Sequence, residues 1–142
     1  MYIVSACLAG VNCRYDGKSN EINEISKLVK AGKAVAICPE QLAGLLTPRA
    51  SAEIVIDKNG NKKVITKHGE DVTVQFNEGA KKTLEIAKIV GAKCAILKSK
   101  SPSCGCKIIY DGTFSKKLTE GNGITSELLL KNGIEVFTED NF

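Results

Sequence analysis

Six cysteines stand at positions 7, 13, 38, 94, 104 and 106 of a 142-residue chain. Thiols this frequent pair as disulfides, pack as small hydrophobes, or ligate metals and attack substrates. The N-terminal run Met1-Tyr2-Ile3-Val4-Ser5-Ala6-Cys7 has neither the basic stretch nor the long apolar core of a secretory signal. A cytoplasmic, reducing setting with free thiols is therefore expected. His68 is the one histidine, and it falls in a polar connector. That is a poor place for the partner of a cysteine nucleophile. Metal ligation and packing are the readings left for most of the thiols.

The elements that must carry these cysteines separate them. Residues 2–8 read as a short buried strand ending at Cys7. Residues 20–31 carry Ile22, Ile25, Leu28 and Val29 at helical spacing, with Asn20 or Ser19 as cap and Gly32 as stop. Ala34–Ile37 is a second apolar run that halts at Cys38-Pro39. Strand, helix, strand is the pattern of a parallel βαβ unit. Cys94–Leu97 reads as a third strand and Ile134–Phe137 as a last one. In such sheets ligands gather outside the carboxyl ends of the strands. Cys7 and Cys38 fall at those ends, and Cys104 falls in the loop past the third strand, so the three can converge. Cys94, inside an apolar strand, reads as a packing residue. Cys13 and Cys106 read as packing residues, with a spare thiol near the site as the alternative for either.

Three thiolates at one point repel each other unless a cation joins them. Zinc and iron–sulfur clusters both suit soft thiolates. The chain has no Cys-x-x-Cys, and Cys104-x-Cys106 is too tight for the usual zinc pair. A cubane cluster normally takes four cysteines. With three, one iron stays open and can act as a Lewis acid.

The neighbouring loops add polar groups. Arg14 can hold an anion or pair with a carboxylate, while Asp16-Gly17 is also a plain turn signal. Glu40 lies two residues past Cys38, either as a proton shuttle or as a carboxylate at a helix N-terminus behind Pro39. Arg49 is a second candidate anion binder. Ser101 and Ser103 offer hydroxyls beside Cys104, although such hydroxyls also satisfy backbone groups.

The remaining chain completes the fold. Ala52–Asp57 and Lys62–Lys67 alternate around Asn59-Gly60, which predicts a hairpin. Asp71 or Thr73 begins a long helix to about Val90, with Phe76, Ala80, Leu84 (beside Thr83) and Ala87 on one face. Lys107–Tyr110 and Gly112–Ser115 predict a second short hairpin, and Thr125–Leu130 a short helix. Residues 1–142 are expected to form one α/β domain. Its architecture would be a Rossmann-like three-layer sandwich with about four parallel strands and a β-hairpin excursion. Hydrophobic content of 43% and charged content of 25% suit an ordinary globular domain. No apolar run reaches the ~20 residues that span a bilayer, so no membrane partner is expected. The net charge of +4 permits a phosphate-bearing partner without demanding one. Aromatic content of 5%, with no Trp, offers little stacking surface for single-stranded RNA. Neither a Gly-x-Gly-x-x-Gly nor a P-loop pattern is present.

Taken together and in order, several segments resemble the thiouracil desulfidase family. They are Ser5-Ala6-Cys7-Leu8-Ala9-Gly10, Arg14-Tyr15-Asp16-Gly17, Cys38-Pro39-Glu40 with Gly44-Leu45 and Pro48-Arg49, Gly69-x-Asp71-Val72-Thr73, Ser101-Pro102-Ser103-Cys104-Gly105, and Tyr110-Asp111-Gly112-Thr113-Phe114. The resemblance runs over nearly the whole chain, in a short single-domain form. It implies an oxygen-sensitive [4Fe–4S] cluster held by Cys7, Cys38 and Cys104. It implies removal of sulfur from a thiolated pyrimidine, 2-thiouracil or a related base or nucleoside, with a tRNA-derived form as a further source. The open iron would take the substrate sulfur and water would attack the C2 carbon. Glu40 and Ser101 would handle protons, and Arg14, Asp16, Arg49 and Ser103 would contact substrate. Two other classes compete: a non-catalytic metal- or cluster-binding module that delivers sulfur or iron, and an RNA-binding accessory protein for thiolated tRNA.

Overall fold

A computed structural model describes residues 1–142. The central sheet contains β1 (Tyr2–Ser5), β2 (Ala34–Ile37), β5 (Cys94–Leu97) and β8 (Glu135–Thr138). They lie in the order β2-β1-β5-β8 and every pair is parallel. Helix α1 (Asn23–Lys30) connects β1 to β2. Ile25 on α1 packs with Val4, Ala34 and Ile96 on one face of the sheet. Helices α3 (Thr73–Ile89) and α4 (Ile124–Lys131) cover the other face. There Ala87 and Leu129 meet Ile3, Ile37, Ala95 and Leu97. The continuous apolar character of Ile3-Val4 and Ala95-Ile96-Leu97 follows from burial on both faces. This is the expected three-layer α/β sandwich with four parallel strands. No helix is long and apolar enough to cross a membrane.

The antiparallel hairpin β3 (Ala52–Ile56) and β4 (Lys62–Thr66) turns at Asn59-Gly60, as its alternation predicts. Its inner residues Ile54 and Val64 pack on Phe76 of α3 and on Ile109. Just before α3, Thr73, through its hydroxyl and then its N–H at 2.9 Å, holds the Asp71 carboxyl below the usual range.

Several expectations need correction. The first strand stops at Ser5, and Cys7 lies on a 3-10 turn over Ala6–Ala9. Helix α1 starts at Asn23 behind Ile22, with no side-chain cap from Ser19 or Asn20; Asn20 instead accepts from the Arg14 guanidinium at 2.6 Å. The second hairpin pairs β6 (Ile108–Tyr110) with β7 (Leu118–Glu120), not with residues 112–115. Residues 112–115 belong to the turn between the two strands, because the Glu53 carboxylate accepts the Gly112 and Phe114 N–H groups and Asp111 accepts that of Thr113. Cys94 also differs from expectation, being only half-buried at the start of β5.

Two contacts set where the site loops lie. A Cβ on Gly79 of α3 would sit 2.2 Å from the Pro39 carbonyl oxygen, so only glycine lets α3 approach the short helix α2 (Pro39–Leu42) this closely. Past β5, Lys98 Nζ lies 2.7 Å from Glu139 Oε2, and the Ser99 N–H donates to Glu139 Oε1 at 2.7 Å. This pair ties the loop after β5 to the chain after β8. Burial alone would raise the Glu139 carboxyl, but the bonds from Lys98 and Ser99 outweigh it and hold it below the usual value. A depressed folded-state value gives stability that is complete above the unfolded value and lost as pH falls through the folded one. Glu139→Gln should therefore cost about 1–3 kcal/mol at neutral pH. The gap from the parent should close on acidification below the ordinary carboxylate range, as read by denaturant melts at stepped pH.

Candidate functional site

The carboxyl ends of β1 and β2 leave the sheet side by side, since Ser5 pairs with Ile37. Cys7 follows on the 3-10 turn, and Cys38 precedes α2 with Pro39 at its first position. The chain after β5 returns as the loop that carries Ser101 and Cys104. That loop is fastened to the start of α4. Ile124 and Thr125 donate their N–H groups to the Pro102 and Ser103 carbonyls at 2.9 and 2.8 Å. Ser126 Oγ donates to the Cys104 carbonyl at 2.7 Å. Gly123 packs so closely on Ser103 that a Cβ would lie 2.4 Å from its carbonyl.

A cavity of about 840 Å³ opens at this edge of the sheet. Cys7, Cys13, Cys38, Cys104, Glu40 and Ser101 line it, together with Arg14 and Arg49. The structure thus brings the three sequence-selected cysteines to one cavity and adds a fourth, Cys13. Cys13 is 2% exposed and lies close enough to the Cys7 and Cys38 thiols for them to shift its titration. Its carbonyl lies 3.8 Å from Cys38 Sγ. Cys106 is directed elsewhere, its thiol 3.7 Å from the Val136 carbonyl, and it does not line the cavity. Cys94 pairs across from Tyr2 at the opposite edge of the sheet. His68 is exposed in the turn after β4.

The polar candidates divide in the same way. Glu40 Oε1 is 3.8 Å from Cys38 Sγ, which places its carboxylate in the thiol corner. Ser101 Oγ accepts the N–H groups of Ser103 and Cys104 at 3.0 and 2.9 Å. Its lone pairs are used in shaping the loop, and its own proton remains to be donated into the cavity. The Ser103 hydroxyl is buried against Thr125 Oγ1 at 2.9 Å and is not part of the cavity lining. Asp16 also stands off the lining, 3.6 Å from Arg14 and accepting the Lys18 N–H. Ser5, which the sequence reading did not single out, lines the cavity; its Oγ accepts the Lys98 N–H at 2.9 Å. As a strand-end serine beside a candidate ligand, it carried only its position as a signal.

The electrostatics ask for a cation. Burial, and then the Glu40 charge, push the Cys104 thiol up to about 12. Cys38 is pushed up by its contact with Cys13, by burial and by Glu40. At Cys13 the contact with Cys38 lowers the value, but Cys7, burial and nearby charge prevail and raise it to about 11. Thiols in this corner therefore stay protonated until positive charge displaces their protons. No three of its Cys, His, Asp or Glu donors are arranged to hold a single metal ion. A cubane cluster instead takes each thiolate on a separate iron and needs no such compact donor set. Three or four convergent thiols without a histidine fit that group.

Residues 2–141 match the family described as 2-thiouracil desulfurase. The chain belongs to that family. It is 48% identical over 145 residues to the uncharacterized protein YbbK of Bacillus subtilis (strain 168), covering 99% of this chain and 96% of that one. It is also similar to a solved structure, the [4Fe–4S]-dependent thiouracil desulfidase TudS. That match has a TM-score of 0.89 and 44% identity, over 98% of this chain and 90% of that one.

The raised thiols have a measurable consequence. Each unit of upward shift lowers the thiolate fraction about tenfold below the pKa. In the apoprotein at pH 8, Cys104 and Cys38 should react with iodoacetamide at least about tenfold more slowly than in the urea-unfolded chain. Mass spectrometry of peptides at timed intervals measures this.

Proposed function

We propose that this protein removes sulfur from a thiolated pyrimidine by net hydrolysis, using a [4Fe–4S] cluster held by Cys7, Cys38 and Cys104. The observation that carries the reading is the convergence of these cysteines with Glu40 and Ser101 on one cavity in a chain of this family. A cluster bound by three thiolates supplies an open iron, a Lewis acid soft enough for sulfur.

The chain's own groups cover the rest of the reaction. Glu40 is the carboxylate in the thiol corner and takes a proton from the water that attacks the C2 carbon. Ser101, held by two backbone N–H groups, donates its hydroxyl proton toward the ring as that carbon becomes tetrahedral. The overall change converts a C=S group and water into a C=O group and hydrogen sulfide, with no electron donor or acceptor. Phe76, Leu45 and Tyr110 give the cavity apolar and aromatic surface for the base to pack on. Arg14 also lines the cavity, its guanidinium 5.7 Å from the Tyr15 ring centroid. Residues 1–142 act as one catalytic domain in this reading.

The cavity is larger than a pyrimidine ring requires, and Lys67, Lys100 and Lys116 line it without a carboxylate partner. A base carried on a sugar phosphate therefore suits it, whether as a free nucleotide or derived from tRNA.

Anaerobic reconstitution with iron and sulfide, followed by incubation with 2-thiouracil and 4-thiouracil, tests the reading. Loss of the thiocarbonyl absorbance should accompany release of one sulfide per base. Glu40→Gln should keep the visible cluster band and lower turnover by about 10²–10⁴-fold. A sulfur- or iron-delivery module would instead leave both bases intact and be indifferent to Glu40.

The ligand assignment has its own test. Alanine at Cys7, Cys38 or Cys104 should abolish the visible band and most of the bound iron. Cys94→Ala and Cys106→Ala should retain both. Iron content per chain after desalting decides.

A further inference from the structure

Arg49 lies beside the thiol corner, and its bonds show what it is for. Its side chain is 13% exposed, and that of its partner Glu40 is 14% exposed. Nη2 lies 3.6 Å from Glu40 Oε2 and donates to the Cys13 carbonyl at 3.1 Å. Nη1 donates to the Leu46 carbonyl at 3.3 Å and to Thr47 Oγ1 at 3.2 Å. The Arg49 backbone N–H donates to the Tyr15 carbonyl at 2.8 Å. Gln41, next to Glu40, donates to the same Thr47 hydroxyl at 3.1 Å. Both terminal nitrogens of the guanidinium therefore face fixed oxygens of the protein. They join the segment after Cys7, the loop after α2, and α2 itself.

Glu40 needs this support. It stands in a helix of four residues, and a glutamate side chain has several rotamers of similar energy. Its two oxygens are placed by different partners: Oε1 faces Cys38 Sγ, and Oε2 is held by Arg49. A planar guanidinium anchored at three other points can fix a carboxylate's direction, whereas a lysine ammonium has no such fork.

We infer that Arg49 is a positioning residue that fixes the Glu40 carboxylate toward the cluster corner, and is not an anchor for the substrate's anionic or carbonyl groups. The inference rests on the reading that Glu40 handles the proton of the attacking water. Substrate binding then owes little to Arg49, while the rate of the chemical step depends on it. A carboxylate displaced by about 1 Å can cost about 10²-fold in rate.

The test compares Arg49→Gln, Arg49→Lys, Glu40→Gln and the double variant Glu40→Gln/Arg49→Gln as reconstituted holoproteins. The readouts are kcat, KM, iron content and the visible spectrum, with single-turnover rates for the slow variants. Both Arg49 variants should lose about 10–100-fold in kcat, with KM within about twofold and with iron and spectrum unchanged. In the Glu40→Gln background, Arg49→Gln should cost less than about twofold more, because residues acting through one another are not additive. A raised KM at unchanged kcat would make Arg49 a substrate anchor and overturn the inference. So would losses that multiply in the double variant, or a drop in iron content that explains the lost rate. If Arg49→Gln does not fold, Arg49→Lys and Thr47→Val, which removes one anchor of the guanidinium, are read against the same outcomes. An active Glu40→Gln single variant would overturn the proton role of Glu40 itself, which is a distinct result.

Discussion

The site depends on the parallel pairing of β1 with both of its neighbours. Tyr2 aligns with Ala34 and with Cys94, and Val4 aligns with Ala36 and with Ile96. Three chain segments therefore leave the sheet at the same edge, and Cys7, Cys38 and the loop of Cys104 follow within a few residues. Sliding one strand by a residue would move a thiol by about 3.3 Å and turn its neighbours to the opposite face of the sheet. Such a slip is prevented by burial on both faces, where Ile3 and Val4 point into different cores. The hydrophobic layers that stabilise the fold also align the thiols.

Assembling that corner is electrostatically unfavourable without a partner. Cys13, Cys38 and Cys104 are all raised above ordinary thiols, and Glu40 adds negative charge beside them. The nearby guanidinium is turned toward Glu40 and backbone carbonyls, so the thiols have no cation of their own. This division lets the protein keep an oriented carboxylate while leaving the thiols to a cationic group. Folding prepares the place, and the bound group supplies the missing charge.

The Cys104 loop shows how a polar segment can be made rigid inside the fold. Ser101 accepts two N–H groups, Ser103 bonds to Thr125, and Ser126 holds the Cys104 carbonyl. No buried side-chain N or O atom is left without a partner. Hydroxyl groups that look like candidate substrate contacts when read along the chain are thus largely scaffold, and Ser101 combines that work with a place on the cavity wall. Rigid support of this kind is what a site needs when a fraction of an ångström changes a rate.

The strands, the long helix and the Asn59-Gly60 hairpin were legible in the chain because their signals are local: period, apolar runs, and a turn dipeptide. Cys7, Cys38 and Cys104 were legible as a group because a parallel sheet puts its strand ends at one edge. Three features were legible only in part or not at all. Cys13 was legible as a packing residue or a spare thiol, and it is the fold of residues 10–20 that brings it close to Cys7 and Cys38. Residues 118–120 pair with β6 because Glu53, from another hairpin, holds residues 112–114 in the turn. Arg49 meets Glu40 nine positions away through a loop anchored on Thr47 and Tyr15. Each of these is a contact between segments that no local period links, and its geometry is decided only when the cores pack. The sequence by itself determined which groups could do the chemistry. The tertiary structure decided which of them face one another, because only packing sets the direction of a side chain.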